Sequence, residues 1–545
     1  MGRFAIGVDF GTNSVRAVVV DCADGLAVGQ WVYGYRYGEN GVILDARDPN
    51  LARQDPREYS EGFAAAVRGA VSDSRIDPGA VVGIGIDTTA STPLPVDANG
   101  LPLALDPRFA ENTNALAWLW KDHTAHAEAG EITDLARRQG RPYLAKCGGA
   151  YSSEWFWAKI LRCARVAPEV FEAAHSWIEC ADFVPAWATG TLASPVRGIC
   201  AAGHKAMYGD GWGGLPSADF LAALDPRLAT LRGRLYEEAL PADRIAGLLM
   251  PGPAGECGLP TGIPVAVGAI DAHLGAVGSG VRPGVLVKIM GTSACDILAT
   301  PGADRDIPGV SGVVPGSVIP SLIGIEAGQS AVGDLFDWWV RLTGRSHEDL
   351  SGEAERLQSG QSGLLALDWN NGNRCVLADP NLSGLLVGQS LHTTAGEVYR
   401  ALIEATAFGA LSIMRRLEEY EVEIEQVVCC GGIAEKSPLT MQIYADVFDR
   451  PIAVAGSPHT CALGAAIFGS VVGGVYASVQ EAQAAMVPPP SHTYRPRPAA
   501  ASTYRRLYAI YLRLHDAFGQ GATNEIASVM KELIAIRTET RACSD

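Results

Sequence analysis

Apolar and polar positions alternate in bursts along the chain, and the first burst says most. FAIGVDF is an apolar run broken by Asp9, GTNS follows, and VRAVVVD is a second run. Two such runs joined by a short Gly-Thr-Asn-Ser bend predict a β-hairpin, with a carboxylate ending its first strand and hydroxyls in its turn. Far downstream, GVLVKIMGTSACDILAT repeats the plan around Gly291, Thr292 and Ser293. A unit repeated at that separation predicts two similar domains facing each other across a cleft. IEQVVCC runs into Gly431-Gly432-Ile433-Ala434 and then the helix-like PLTMQIYADVF, a strand, turn and helix that suit a nucleotide phosphate. AVVGIGIDTTASTPLPVD predicts another strand, ending in Asp87, Thr88, Thr89, Ser91 and Thr92, and VAVGAIDAHLG places Asp271 just past one more. An acid at the C-terminal end of an α/β strand points into the crevice where ligands bind. Taken locally, Asp271 reads slightly better as a helix N-cap.

The segments REYSEGFAAAVRGAV, SSEWFWAKILRCA, GEVYRALIEATAFGALSIMRRLEEY and SAVGDLFDWWVRL carry apolar residues at three-four spacing and predict helices. Trp155 and Trp157 belong to the core or to the wall of a sugar site. Residues 344–363 are polar and glycine-bearing, a loop or short surface helix. YRRLYAIYLRLHDAF is amphipathic and is expected to dock on the second domain, with the last few residues frayed. Glycine lets backbone N–H groups approach an anion closely, and Thr or Ser hydroxyls add donors. Three glycine turns in one chain, two of them matching, point to a phosphate-bearing ligand in an interdomain cleft.

Composition narrows the classes. The 545 residues hold 43 basic against 60 acidic side chains, a net charge of −17, which argues against a nucleic-acid face or an anionic membrane surface. With 48% hydrophobic and 19% charged residues the chain is globular rather than disordered. No apolar run approaches the roughly 18 residues of a membrane span, and MGRFAIGVDF does not read as a secretion leader. The cysteines form no CxxC pair, which fits a reducing cytoplasm. His123 and His126 lack a third ligand in zinc spacing, so a divalent ion is expected on oxygen ligands beside the phosphates. No GxGxxG follows the first strand, which removes an NAD-binding oxidoreductase.

The chain resembles the FGGY carbohydrate kinases from about residue 4 to residue 480, through GVDFGTNSVRAVVVD, DTTASTPLPVD, AGHKAMY, GAIDAHLGAVGSG, KIMGTSACDIL, ALIEATAFGA and GGIAEKS in family order. SSEWFWAKI, IEAGQSA and LDWNNGNR are similar to its ribulokinase branch. The resemblance implies an α/β fold of two actin-like (ribonuclease H-like) domains around a central cleft. Residues 1–280 are then the sugar side, 281–490 the ATP side and 491–545 a helical tail on the second domain. It implies phosphorylation of ribulose at the 5-hydroxyl by ATP with Mg²⁺, with L-ribulose in arabinose catabolism foremost. D-ribulose, another pentulose or pentitol, and an actin-like sugar-sensing switch without turnover are the alternatives. Its partners are then the sugar and ATP, without nucleic acid or membrane, and a homodimer is compatible.

Residue by residue, the resemblance makes Asp271 the general base and places Asp9 by the Mg²⁺, directly or through water. Gly11, Thr12 and Asn13 become the first phosphate turn and Gly291, Thr292 and Ser293 the second. Gln329 falls near the phosphates, and Gly431, Gly432 and Ala434 form the adenosine floor. Lys205 and Glu326 become sugar ligands on opposite sides of the cleft, with Ser91, Thr92, Trp120, Lys121 and Asp122 lining the site. Many family members carry Asn shortly after the GGxA turn, whereas Glu435-Lys436-Ser437 follows here, so adenine contacts at that point are left unassigned.

Overall fold

In the computed structural model, which describes residues 2–302, 305–519 and 525–542, both predicted hairpins form and each founds a sheet. Phe4–Phe10 pairs antiparallel with Ser14–Asp21, which pairs antiparallel with Ala27–Gly34. On the other side of Phe4–Phe10 lies Val81–Thr88, parallel to it, and then Pro264–Ala266, parallel again. The second sheet repeats this order. Gly284–Met290 pairs antiparallel with Ala294–Thr300, itself antiparallel to Ile323–Gln329. Ile424–Cys430 and then Ile452–Val454 join in parallel on the other flank. Three strands in a meander followed by two parallel strands, twice over, is the two-lobed α/β plan expected from the repeated hairpin.

Glycines set how the two halves meet. The helix Thr460–Val472 comes from the second half of the chain, yet its backbone lies on the first sheet. A Cβ added at Gly7 would stand 1.7 Å from the Ala462 carbonyl oxygen, and one at Gly85 1.8 Å from that of Ala465. The same helix meets Asp271–Gly278, where a Cβ on Gly464 would stand 1.8 Å from the Leu274 oxygen. Only residues without side chains permit such backbone contact. Buried apolar residues from both halves, among them Val18, Leu274, Val287, Ala462 and Leu463, form one continuous core at this seam.

The predicted helices occur as Arg57–Ser74, Phe156–Val166, Gly333–Thr343 and Ala395–Glu419, and the polar stretch after Gly344 contains the short helix His347–Glu355. Trp157 is core, while Trp155 reaches the cavity described below. In the tail helix Pro498–Gly519, Tyr504 is buried against Ala395–Glu419. Its hydroxyl donates to Glu404 at 2.8 Å and accepts from Arg400 at 2.8 Å. The fraying expected at the extreme end concerns residues 543–545, outside the described residues. No described helix is long and apolar enough to cross a membrane.

Gly85→Ala is expected to lower stability by at least about 1–3 kcal/mol, because the added methyl meets backbone rather than a movable side chain. The measurement is the urea midpoint. An unchanged midpoint would show that the helix can yield at this contact.

Candidate active site

Sheet register brings three carboxylates together. In the parallel pair, Asp9 stands opposite Asp87. Ala269–Ile270 adds to Val81–Thr88 with Ile270 opposite Thr88, and Asp271 follows as the first residue of Asp271–Gly278. The N-cap position belongs to Ile270, so Asp271 is not spent as a cap; its carboxylate accepts only its neighbour's N–H, Ala272 at 2.6 Å.

Electrostatics sharpen this cluster. Asp87 is buried and neither of its oxygens has a hydrogen-bond partner. Burial, then the charges of Asp9 and Asp271, pushes its carboxyl well above the ordinary range. Burial raises Asp9 too, opposed by the neighbouring Asp87 carboxyl and by the guanidinium of Arg16 at 3.7 Å. Burial and then the charge of Asp9 push Asp271 up to about 7. Arg16 is the guanidinium beside these three carboxylates, and their oxygens are the donors a hard cation such as Mg²⁺ prefers. The orphaned Asp87 oxygens are what such an ion or its waters would satisfy. The residues therefore fit Mg²⁺.

Beside the cluster lies a cavity of about 260 Å³, walled by both halves of the chain. Thr12 enters from one glycine turn and Gly291, Thr292 and Ser293 from the other, with Asp271 between them. The turns are closed alike, Gly11 N–H donating to the Ser14 carbonyl at 2.9 Å and Gly291 N–H to that of Ser293 at 2.9 Å. Trp120 Nε1 donates to Thr12 Oγ1 at 3.0 Å. The buried Lys159 donates to the carbonyls of Ser91, Trp118 and Leu119, tying the Ser91 loop to the Trp120 segment. Lys205 Nζ spans the cleft to both oxygens of Glu326 at 2.7 and 2.9 Å. Burial opposes ionisation of Glu326, but the surrounding groups, Lys205 first among them, outweigh it and hold the carboxyl well below the ordinary range. Glu154 and Arg374 make a second ion pair between the halves at 3.3 Å.

The cavity thus collects Thr12, Ser91, Trp120, Lys205, Asp271, Gly291, Thr292, Ser293 and Glu326 from the sequence-based set. Several expectations need correction. Asp122 is a buried counter-ion of Arg53 that also accepts from Ala52 N–H at 2.8 Å and Thr124 Oγ1 at 2.6 Å, so no charge is left for a ligand. Thr92 is buried and its hydroxyl donates to the Ala90 carbonyl at 2.9 Å. Lys121, next to them, does not line the cavity. Gln329 accepts from Lys288 at 3.0 Å and donates to Asp368 and the Thr406 carbonyl, and although it pairs with Ala294 next to Ser293 it does not line the cavity. Asn13 is exposed and its amide donates to the Asn40 carbonyl at 2.6 Å. Lys205 and Glu326, expected to face each other with sugar between, pair directly.

Gly431, Gly432 and Ala434 stay outside the cavity wall but adjoin the second turn. Cys430 stands opposite Ile289, and Gly431 has a φ of 90° with its missing Cβ 2.6 Å from the Met290 oxygen. Ala434 and Glu435 then lie in the short helix Gly432–Lys436. Sequence reasoning assigned no role to Asp87, although the strand-end argument applied to Asp271 covers it equally. Glu154, Arg374 and His273 also line or close the site, and no local pattern distinguished them.

Models of the FGGY family of carbohydrate kinases match the chain, the N-terminal domain over residues 4–278 and the C-terminal domain over residues 286–472. Among similar proteins, a ribulokinase of Halalkalibacterium halodurans is 40% identical, covering 98% of each chain. One of Mycolicibacterium smegmatis is 41% identical, over 95% of this chain and 94% of that protein. Solved structures show the same fold at low identity. The xylulose kinase of Rhodospirillum rubrum superposes with a TM-score of 0.77 at 24% identity, over 94% of this chain and 98% of that one. Plasmodium falciparum glycerol kinase with ADP gives 0.75 at 15%, over 94% and 98%.

Asp122→Ala strands the buried Arg53 charge and is expected to cost about 3–5 kcal/mol of stability in urea unfolding. Sugar KM should stay close to that of the parent protein. A large rise in KM with stability intact would return Asp122 to the site.

Proposed function

The chain belongs to the FGGY family of carbohydrate kinases and phosphorylates a sugar with ATP as co-substrate, and we propose that this sugar is ribulose, L-ribulose foremost, converted to ribulose 5-phosphate in arabinose catabolism. The observation that carries the reading is the arrangement of the cavity: a carboxylate of raised proton affinity between two glycine-hydroxyl turns, with a Lys–Glu pair on the far wall. Relatives named ribulokinase at about 40% identity over nearly the whole chain support the choice of sugar. We read residues 1–280 as the sugar-side domain, 281–490 as the ATP-side domain and 491–545 as a tail on the latter. The free and largely buried cysteines fit a cytoplasmic enzyme.

Phosphoryl transfer leaves a protein little covalent work, so alignment and electrostatic stabilisation dominate. Lys205 and Glu326 hold the sugar hydroxyls, and Trp120 and Ser91 shape the wall beside them. Asp271 Oδ accepts the proton of the 5-hydroxyl as that oxygen attacks the γ-phosphorus. A carboxyl pushed up to about 7 is a better match to neutral pH than an ordinary aspartate, which strengthens the general-base role. Backbone N–H groups and hydroxyls of Thr12, Thr292 and Ser293 meet the phosphate oxygens, while the N–H groups of Gly11 and Gly291 close the turns. Asp9 and Asp87 would hold Mg²⁺, which would offset phosphate charge. The paired side chains across the cleft keep the halves together and exclude water, a competing nucleophile of similar strength.

Coupled ADP release with a panel of pentuloses and pentitols tests the reading, and L-ribulose is expected to give the highest kcat/KM. A higher value for D-ribulose would move the assignment to that sugar. Asp271→Asn should lower kcat by roughly a hundredfold or more while calorimetry still shows sugar binding; near-normal turnover removes Asp271 from the role. Lys205→Ala is expected to raise chiefly the sugar KM, and a change confined to the ATP KM would contradict the sugar contact.

A further inference from the structure

Behind the Lys205–Glu326 pair lie two imidazoles that the phosphoryl transfer does not use. His204 and His273 are both fully buried, their ring centroids 4.5 Å apart. Ser317 Oγ donates to the Val314 carbonyl at 3.0 Å, so at 2.9 Å from His204 Nε2 it accepts that nitrogen's proton. The neutral His204 ring therefore presents Nδ1 as a bare lone pair, 3.4 Å from Glu326 Oε2 and without a hydrogen-bond partner. His273 Nε2 is 3.5 Å from the same oxygen, and neither nitrogen of His273 has a hydrogen-bond partner. Two lone-pair-bearing rings thus converge on one carboxylate oxygen in a dry site, with the three candidate ligand atoms all within 4.8 Å of one another.

Unpaired buried polar atoms are costly, and their convergence points to a missing cation. A tetrahedral ion with bonds of about 2.0–2.2 Å needs ligand atoms about 3.3–3.5 Å apart, close to the two distances to Oε2. Two imidazoles and a carboxylate suit Zn²⁺ or Co²⁺ and not Mg²⁺, which prefers oxygen alone. Ser317 is the kind of outer partner that fixes the tautomer and direction of a ligating imidazole. His273 and Glu326 both line the cavity, which leaves an open position for water. Lys205 already holds Glu326, its Nζ 2.7 Å from Oε1 and 2.9 Å from Oε2, so a cation on Oε2 competes with the longer of these two contacts.

We propose that His204, His273 and Glu326 form a binding site for a Zn²⁺-class cation, which competes with Lys205 for Glu326 Oε2. If Lys205 and Glu326 hold the sugar, occupation also weakens sugar binding; that consequence rests on the proposed function, whereas the site does not.

The test is a Co²⁺ titration of the metal-free full chain without nucleotide or sugar, followed by visible absorption. One equivalent is expected to give the intense band of tetrahedral Co²⁺. The band should vanish in His204→Leu and His273→Leu, and Lys205→Met should tighten binding about tenfold by removing the competing ammonium. Lys205→Met keeps both imidazoles, so it guards against loss of the band through misfolding. No tetrahedral band in the parent protein, a band that survives both His variants, or weaker binding in Lys205→Met would overturn the proposal. None of these readouts needs turnover, so they fail independently of the kinase reading.

Discussion

The contact between the helix Thr460–Val472 and the first sheet governs where everything else can be. Gly7 on one strand and Gly83 and Gly85 on the next face that helix, and their missing side chains let its carbonyls touch the sheet backbone. Alternate strand residues share a face, so a single run of small residues makes the seat. The helix belongs to the half that carries the Gly291 turn, and its residue Cys461 reaches the cavity wall. Seating it on the sheet that ends in Asp9 and Asp87 therefore brings the second turn opposite the first. A bulkier residue in the seam would separate the two turns before it disturbed either hairpin.

Around that seam, charge is distributed unevenly. On one side Asp9, Asp87 and Asp271 crowd together with Arg16 beside Asp9, burial raises the proton affinity of all three, and the charge of Asp9 raises that of Asp87 and Asp271 further. On the other, Lys205–Glu326 and Glu154–Arg374 neutralise each other across the cleft. A buried ion pair is close to break-even against its desolvation. Exchanging Lys–Glu contacts for contacts to a polyhydroxy ligand is therefore a near-balanced step, in which modest differential binding can shift the equilibrium between closed and open cleft. The carboxylate side has no internal substitute for its cation, whereas the sugar side does.

Much of this was legible in the chain. Both hairpins, the Gly431 turn and the long helices follow from periodicity and turn residues, because those patterns report local backbone. The twofold sheet plan follows from the repeat of Gly11–Thr12 at Gly291–Thr292. Side-chain commitments were not legible. Asp122 and Gln329 are polar residues beside the right motifs, but each is consumed by a partner distant in sequence, Arg53 and Lys288 with Asp368, while Thr92 is held within its own loop by Thr89 and Ala90. Arg374 and Glu154 escaped for the converse reason, since their value arises only when two remote segments meet.

Asp271 shows how far residue type alone misleads about chemistry. An aspartate in water is a weak base for an alcohol, with a pKa near about 3.9. Here burial leads and the neighbouring Asp9 adds to it, so that the carboxyl reaches about 7 without any change of residue. Each pKa step is worth about 1.4 kcal/mol between the two protonation states, so the environment supplies several kcal/mol of added basicity. The source of that basicity is the strand register, which sets Asp9 against Asp87 and delivers Asp271 directly after Ile270. A slip of one residue in either pairing would turn a carboxylate to the opposite face of the sheet. The reactivity assigned to one side chain is thus a property of three strand ends, and it depends on the same glycine seam that aligns the two turns.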